Sequence, residues 1–335
     1  LSIAAGSTVD FGSSSQTVGT LNSDGQVISG DTGKLTVTNG GTVSGANSDF
    51  HLEVALDGST DLTLKDADAL GDGSVTISQT GTYLVLSGIT GTDGAAAEYD
   101  NAVSGLGGIK LSDNASVALT GSNTFSGDLI VGEGSTVSAL GDVFSHLGEG
   151  KLALSGNADF TLTDTPATDN WTWNKTVTGS GVLALNRDLS VQSTELVFTD
   201  ASIHNFSGTI SLKNWDITLD ANGTNNTYTA LDGSKANLTI GQGADATING
   251  VVDLASKTVA VDASGSLTFT GVAAPGSDNT ELSKLTASVL DLNDGFIINL
   301  DVDENQTVNA GALLTQDDAE GTTITVATAD RIDAT

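Results

Sequence analysis

A strict alternation of apolar and polar residues, repeated in short runs, restricts the fold of this chain more than any other feature. The first clear run is Lys34-Leu35-Thr36-Val37. In a β-strand, residues i and i+2 lie on the same face, so each run directs two apolar side chains to one side. Thr, Val and Ile also fit a pleated surface well. The sequence therefore predicts strands at residues 34–37, 61–64, 74–77, 151–154, 182–185, 216–219, 237–240 and 266–269.

Glycine, asparagine and aspartate fill the segments between these runs, as in Asn39-Gly40-Gly41 and Gly71-Asp72-Gly73. These residues accept the positive φ that tight turns need. Together with serine and threonine they make up 177 of the 335 residues. All five are poor helix formers, because glycine loses backbone entropy and the others compete for backbone hydrogen bonds. We therefore expect an all-β chain.

The net charge of −31 excludes two classes of partner. Eleven Lys and Arg stand against 42 Asp and Glu, and they are scattered from Lys34 to Arg331. Nucleic acids and anionic membrane surfaces require clustered cations, so neither is an expected partner.

The chain has no cysteine, which excludes a disulfide-stapled domain and thiolate chemistry. No apolar stretch approaches a signal sequence or a membrane span, so we expect a mature fragment whose targeting signals are cut away.

Two architectures suit short strands separated by turns, namely a β-sandwich and a β-solenoid. Neighbouring runs often start roughly 20–30 residues apart, which is typical of solenoid repeats. The chain has no Pro-rich or charged linker, and only 4% of its residues are aromatic, so a narrow aliphatic core is favoured. An open solenoid end exposes unpaired strand edges. We therefore expect a β-solenoid over residues 1–280 and its continuation or cap over residues 281–335.

A motif between residues 105 and 140 combines alternating apolar residues with Gly, Asn-Thr-aromatic and Ser-Gly steps. Its residues are Ser116-Val117-Ala118-Leu119-Thr120-Gly121-Ser122-Asn123-Thr124-Phe125-Ser126-Gly127, followed by Val131, Gly134, Val137 and Leu140. This motif resembles the passenger-associated repeat of Gram-negative autotransporters. Residues 179–185 are similar to the opening of that repeat and residues 205–208 to its middle. Asn114 stands where the repeat has glycine.

The resemblance implies a right-handed parallel three-stranded β-helix, which is the passenger domain of a type V autotransporter. It implies export by an outer-membrane β-barrel translocator, missing here and expected in the full-length chain. The expected location is the cell surface or outer membrane of a Gram-negative bacterium, with possible extracellular release. The implied function is adhesion, either to a host extracellular-matrix protein or glycan, or to the same protein on neighbouring cells during aggregation and biofilm formation.

No motif in the sequence indicates catalysis. The three histidines, His51, His146 and His204, have no Ser/His/Asp signature around them. The Gly-Asp-Ser-Gly, Gly-x-Ser-x-Gly and His-Glu-x-x-His motifs are absent from the sequence. We therefore expect no enzyme, no catalytic residue and no cofactor. The alternative is a polysaccharide lyase or hydrolase on the same β-helical scaffold.

Three acidic clusters raise the question of calcium, because hard cations prefer oxygen ligands. The clusters are residues 66–68, 291–294 and 301–304. None has EF-hand spacing, and the Gly-Gly-x-Gly-x-Asp repeat of calcium-binding β-rolls does not occur. The sequence therefore predicts no metal site, and structural calcium stays the alternative.

Two tryptophans form the candidate ligand-binding patch. Trp171 and Trp173 alternate, so they share one face of a strand. On an exposed face the indoles would stack on a sugar while polar neighbours bond its hydroxyls. Burial over a loop is the alternative, because tryptophan is usually largely buried, and Trp215 has the same two interpretations. The candidate residues are Asp169, Asn170, Trp171, Trp173, Asn174 and Lys175.

Overall fold

The computed structural model describes residues 1–163, 170–191, 195–221, 223, 226–273, 280–301, 307–309, 312–317, 323–328 and 332–333. Strands hold 50% of the residues and helices 5%, so the predicted all-β class is confirmed.

The chain divides into two compact units, Leu1–Thr161 and Leu162–Thr335. The boundary predicted between residues 280 and 281 falls inside the strand Thr280–Leu282, and a capping role for residues 281–335 stays a prediction.

The first unit consists of short strands with two 3-10 turns, Thr92–Gly94 and Val143–His146. Its strands are β1 (Ser2–Ile3), β2 (Thr8–Asp10), β3 (Gln16–Val18), β4 (Leu21–Ser23), β5 (Gln26–Ile28), β6 (Lys34–Val37), β7 (Gly41–Val43), β8 (Glu53–Leu56), β9 (Leu62–Leu64), β10 (Val75–Ile77), β11 (Tyr83–Ser87), β12 (Ala97–Tyr99), β13 (Val103–Gly105), β14 (Gly108–Ser112), β15 (Ser116–Leu119), β16 (Leu129–Val131), β17 (Thr136–Leu140), β18 (Leu152–Leu154) and β19 (Asn157–Leu162), the last of which ends one residue into the second unit.

Parallel pairing organises the first unit. One sheet has the order β1-β4-β7-β9-β11-β14-β16-β18, a second β3-β6-β8-β10-β13 and a third β12-β15-β17-β19, while β2 pairs with β5. Because hairpins cannot join parallel strands, the chain leaves each sheet and returns to it alongside the previous strand. This topology is compatible with a β-solenoid.

The second unit has one α-helix, α1 (Asn226–Gly233), among its described residues. Its strands are β20 (Asn170–Trp173), β21 (Val177–Gly179), β22 (Val182–Arg187), β23 (Glu195–Phe198), β24 (Asn205–Phe206), β25 (Thr209–Lys213), β26 (Asp216–Asp220), β27 (Asn237–Ile240), β28 (Asp245–Asn249), β29 (Val251–Val261), β30 (Ser266–Ala273), β31 (Thr280–Leu282), β32 (Lys284–Leu292), β33 (Ile297–Asp301), β34 (Thr307–Asn309), β35 (Ala312–Asp317), β36 (Thr323–Thr328) and β37 (Ile332–Asp333).

Two parallel sheets dominate the second unit. One runs β22-β25-β27-β29-β32-β35 and the other β20-β23-β26-β28-β30, with β33 also on β30, while β21 pairs with β24. Antiparallel pairs join β30 to β31, β34 to β37, and β35 to β36. Leu282, Leu285, Val289 and Leu292, whose spacing in the sequence also weakly fits a helix, lie in strands β31 and β32.

Stacks of aliphatic side chains in register form the core. In the first unit Leu64, Leu86, Leu111, Val131 and Leu154 pair strand by strand, and none is more than 1% exposed. Burying one such side chain contributes about 1.5–3 kcal/mol. Each of the eight runs predicted from alternation matches a strand, and only Asp61, Ser74 and Lys151 lie just before theirs, which confirms that part of the sequence analysis.

Buried asparagines satisfy the backbone where the chain turns between strands in the first unit. The Asn47 side chain accepts from the Val27 amide at 2.6 Å and donates to the carbonyls of Gly45 and Ala69. Asn123 makes the equivalent contact, accepting from the Val103 amide at 2.8 Å. Both asparagines are at most 5% exposed. They satisfy backbone groups that would otherwise be buried without a partner.

Candidate functional site

The tryptophans of the predicted ligand patch are buried in the second unit. Trp173 is 0% exposed and Trp171 7%. The Trp171 ring stacks on Trp215 at 5.3 Å between centroids and meets Trp173 edge-on at 5.9 Å. Trp173 Nε1 donates to the Lys175 carbonyl at 2.8 Å. Of the two interpretations that alternation at residues 171 and 173 allowed, the structure therefore has the buried one, in which the indoles form an aromatic core.

Arg187 packs against the Trp215 ring of this cluster. Its guanidinium carbon lies 5.8 Å from the centroid of the Trp215 ring, a distance at which a cation is attracted to the ring face. Arg187 also donates to the carbonyls of Asn214 and Val191. These contacts hold the tryptophans in place and leave Trp215 0% exposed.

The polar members of the predicted patch have different surroundings. Asn170 and Asn174 are exposed, whereas Lys175 is only 8% exposed. Asp169 lies outside the described residues. Ligand binding by these polar side chains stays a prediction, without the indole platform on which it was based.

The three histidines lie in connecting segments rather than in strands. His51 Nδ1 is 2.7 Å from Asp72 Oδ1, and this hydrogen bond raises the pKa of His51 above 6.5. His146 Nδ1 lies 2.9 Å from the Gly121 carbonyl oxygen. Within the described residues no serine or threonine hydroxyl is hydrogen-bonded to a histidine ring, so no nucleophile–base pair is formed there.

A polar groove of 560 Å³ lies in the first unit. The groove is formed by the segment after β9, by the segment after β11, which contains the buried Ile89, and by the start of β12. The corresponding connections after β14 and β16 are only short turns, 113–115 and 132–135. Longer connections on two successive strands therefore create the groove. The groove is lined by Lys65, Asp66, Ala67, Asp68, Gly88, Ile89, Thr90, Ala97 and Glu98.

Lys65 is the cation of this groove. Its Nζ donates to Ser87 Oγ at 2.7 Å and lies 3.7 Å from Asp113 Oδ2. The Ser87 hydroxyl also donates to Asp113. The hydrogen bond from Ser87 and the charge of Lys65 lower the pKa of Asp113. The amine is thus fixed at the edge of a groove whose other charged groups are carboxylates.

A second candidate surface is a row of hydroxyl and amide side chains in the second unit. Thr218, Thr247, Thr268 and Asn299 pair in register across four parallel strands, and we call them the threonine row. Neighbouring members are separated by about 4.8 Å, the spacing of strands in a sheet. The three threonines are half-buried and Asn299 is exposed.

The Asp245 carboxylate organises the hydroxyls around this row. It accepts from Thr268 Oγ1 at 2.8 Å, from Thr247 Oγ1 at 3.2 Å and from Ser266 Oγ. Asn299 donates to Thr268 Oγ1 at 3.3 Å. Thr247, Thr268 and Asn299 are therefore joined in one hydrogen-bond network, which fixes the orientation of the two hydroxyls. It provides oxygen acceptors in a regular array and contains no activated nucleophile.

Neither surface was identified from the sequence. Two members of the threonine row, Thr218 and Thr268, occupy polar positions of the runs at 216–219 and 266–269, so their outward direction was predictable. Their alignment across strands was not.

No group of three or more His, Cys, Asp or Glu side chains among the described residues is placed to hold a metal ion. In the acidic cluster 66–68, the Asp68 amide donates to the Asp66 carboxylate at 3.0 Å, which is a local turn. The cluster 301–304 lies outside the described residues except for Asp301. In the part of the chain that the structure describes, no helix is long and apolar enough to cross a membrane.

No protein-family model matches the chain, and comparisons with curated proteins and with solved structures find no match. The resemblance of residues 105–140 to autotransporter passengers therefore stays a prediction from the sequence.

Proposed function

We propose that this chain is a bacterial surface adhesin without enzymatic activity. The observation that carries the proposal is the threonine row, a regular array of polar side chains on the outer face of a parallel sheet. A single exchanged hydrogen bond contributes only about 0.5–1.5 kcal/mol. An in-register array repeats that small contribution, so two such surfaces adhere through many weak contacts. Repetition of this kind serves attachment better than it serves catalysis.

The proposed fold is a right-handed parallel three-stranded β-helix of the autotransporter passenger type. Its support is the return of the chain to the same parallel sheets together with the motif at residues 105–140. In this proposal an outer-membrane β-barrel translocator of the longer chain exports the passenger to the surface of a Gram-negative cell. Protease treatment of intact source cells tests that location, since a surface passenger is digested before cytoplasmic proteins are.

Cell mixing tests adhesion through the threonine row. Labelled cells displaying the chain are mixed with unlabelled cells that display it or lack it. Self-association clumps the displaying cells together and leaves the others free. The variant Thr218→Lys/Thr268→Lys places two long side chains in the row and is expected to abolish clumping.

Thr239→Lys is the matched control, because Thr239 lies in β27 of the other main sheet of the same unit. Equal clumping by the row variant and this control would show that the threonine row is not the adhesive surface. If even the unmodified chain causes no clumping but binds a matrix protein or glycan, the receptor function described next is favoured.

A second candidate function is binding of a host glycan or matrix protein in the groove. The observation that favours it is a 560 Å³ groove with a fixed amine and several carboxylates at its walls. Such groups hydrogen-bond hydroxyls or basic side chains of a ligand. Glycan and matrix-protein arrays probed with the wild type and Lys65→Ala test this function. Lys34→Ala, which loses an exposed ion pair with Glu53 outside the groove, is the control and should bind normally.

The polysaccharide lyase or hydrolase alternative remains a testable one. Release of reducing or unsaturated ends from acidic polysaccharides by the purified chain would establish it in place of adhesion.

A further inference from the structure

Two Asn-Gly pairs within the described residues differ in the exposure of the asparagine and in their hydrogen bonds. One is Asn39-Gly40, between β6 and β7, and the other is Asn249-Gly250, at the end of β28. Asn-Gly pairs are chemically labile because glycine has no side chain to hinder attack of its nitrogen on the asparagine side chain. The two pairs share the same local chemistry, so their surroundings decide which one reacts.

Asn39 is held only through its backbone. Its amide donates to the Gly19 carbonyl at 2.9 Å, and its side chain is exposed. Among the described residues neither the Asn39 side chain nor the Gly40 amide has a hydrogen-bond partner. The side-chain carbonyl carbon is therefore free to rotate, and the nitrogen that attacks it is not engaged elsewhere.

Asn249 is restrained at both reacting groups. Its Oδ1 accepts from Thr270 Oγ1 at 3.2 Å, and the Gly250 amide donates to the buried Ser283 Oγ at 2.9 Å. Attack by the Gly250 nitrogen would break the hydrogen bond to Ser283 and leave a buried hydroxyl without that partner. Breaking both bonds slows the reaction, since each lost buried hydrogen bond carries a free-energy cost.

We propose that Asn39 is a site of spontaneous modification in the folded protein. The Gly40 nitrogen attacks Asn39 Cγ, a nitrogen–carbon bond forms, and the amide leaves as ammonia to give a succinimide. Water then opens the ring at one of its two carbonyls, giving aspartate or isoaspartate. The steps need only water and a base to take the Gly40 proton, and no oxidation or reduction occurs.

The isoaspartate product would disturb the neighbouring strands, because it adds one methylene to the main chain. No space exists for it at this turn. A Cβ added to Gly40 would lie 2.1 Å from the Asp61 carbonyl oxygen, and one added to Gly41 would lie 2.0 Å from that of Leu21. Strand β7 pairs with β4 on one side and β9 on the other, so displacement of the turn loosens both pairings.

Peptide mapping by mass spectrometry after prolonged incubation of the chain tests this proposal. The folded chain is kept in mildly alkaline buffer at physiological temperature, and a second sample is kept in concentrated urea. In urea both pairs should deamidate at similar rates. In the folded chain Asn39 should convert at least about tenfold faster than Asn249, the difference expected for losing the hydrogen bonds that hold Asn249.

Isoaspartate at position 39 should also make the folded chain sensitive to proteolysis near residues 39–43, whereas the aspartate product should not. The variant Asn39→Gln cyclises much more slowly, so it should show neither the conversion at position 39 nor the added sensitivity to proteolysis. Asn249→Gln serves as the matched control. Equal rates at the two sites in the folded chain, or conversion of Asn39 only in urea, would overturn the proposal.

Discussion

At the scale of single residues, buried polar groups decide which substitutions this protein tolerates. Asn47 is 0% exposed and joins three segments through its side chain. Leu140, by contrast, is 60% exposed although it is a large apolar residue. A buried polar group is therefore more important to stability here than an exposed apolar one, because backbone groups deprived of a partner pay the full cost of desolvation.

Replacing Asn47 with alanine should strongly destabilise the first unit. The Val27 amide and the Ala69 carbonyl lose their partner, and each buried group left unsatisfied costs about 1–3 kcal/mol. We expect a loss of about 2–5 kcal/mol in the free energy of unfolding, measured by urea titration. Asn39→Ala is the control and should change it by less than about 0.5 kcal/mol. Similar losses for the two variants would contradict this role of Asn47.

The titration of His51 should report its contact with Asp72. Hydrogen bonding to Asp72 raises the pKa of His51 above the ordinary value of 6.5. The protonated form therefore stabilises the fold fully below that ordinary value, and the contribution is lost as pH rises through the higher folded-state pKa. NMR titration should show the raised pKa, and Asp72→Asn should lower it toward the ordinary value. An unchanged His51 titration in Asp72→Asn would show that the contact does not form.

At the scale of elements, stacking in register stabilises strands that are individually too short to persist. Strands β9, β11 and β14 contain three to five residues, yet each places a leucine in the same continuous stack. A strand of this length gains its stability from the layers above and below it. In the second unit, in-register pairing aligns Leu219, Ile248 and Phe269 inward and polar residues outward, which is how the threonine row arises.

Removing a leucine from the middle of a stack should be far more harmful than removing an exposed one. Leu111 is 0% exposed and pairs with Leu86 and Val131. Leu111→Ala should cost about 2–5 kcal/mol, because it removes buried contacts and leaves a cavity. The control Leu140→Ala, in β17 of the same unit, should cost less than about 0.5 kcal/mol. Thermal and urea unfolding of both variants measure the difference, and equal costs would argue against a stacked core at Leu111.

At the scale of the whole molecule, the net charge of −31 governs how the chain meets other molecules. Two copies repel each other through the same charge that attracts a cationic ligand. Salt screens both effects, since the Debye length falls from about 10 Å at 0.1 M to about 3 Å at 1 M salt. The direction of the salt dependence therefore distinguishes the two adhesive functions.

Self-association should strengthen as salt is added, because screening weakens the repulsion between copies. Binding of a basic matrix protein should weaken over the same range. Sedimentation of the purified chain at increasing sodium chloride concentration measures the first, and binding to immobilised matrix protein measures the second. Self-association that declines with salt would indicate that attractive charge pairs, rather than polar rows, hold the copies together.

The sequence by itself determined the position of eight strands and which of their residues share a face. Alternation is a local property, and each of the eight predicted runs matches a strand to within one residue at its start. It also determined the all-β class, since glycine and small polar residues disfavour helices throughout the chain. It did not predict helix α1, whose segment has no clear apolar periodicity.

Only the tertiary structure decided which distant residues become neighbours. Alternation predicted that Trp171 and Trp173 share one face of a strand. It did not indicate that Trp215 stacks on Trp171, because pairing between distant strands brings Trp215 there. The threonine row and the groove depend on register between strands about 20–30 residues apart, which no local pattern specifies. Local sequence sets the direction of a side chain, whereas packing between distant strands determines what it meets.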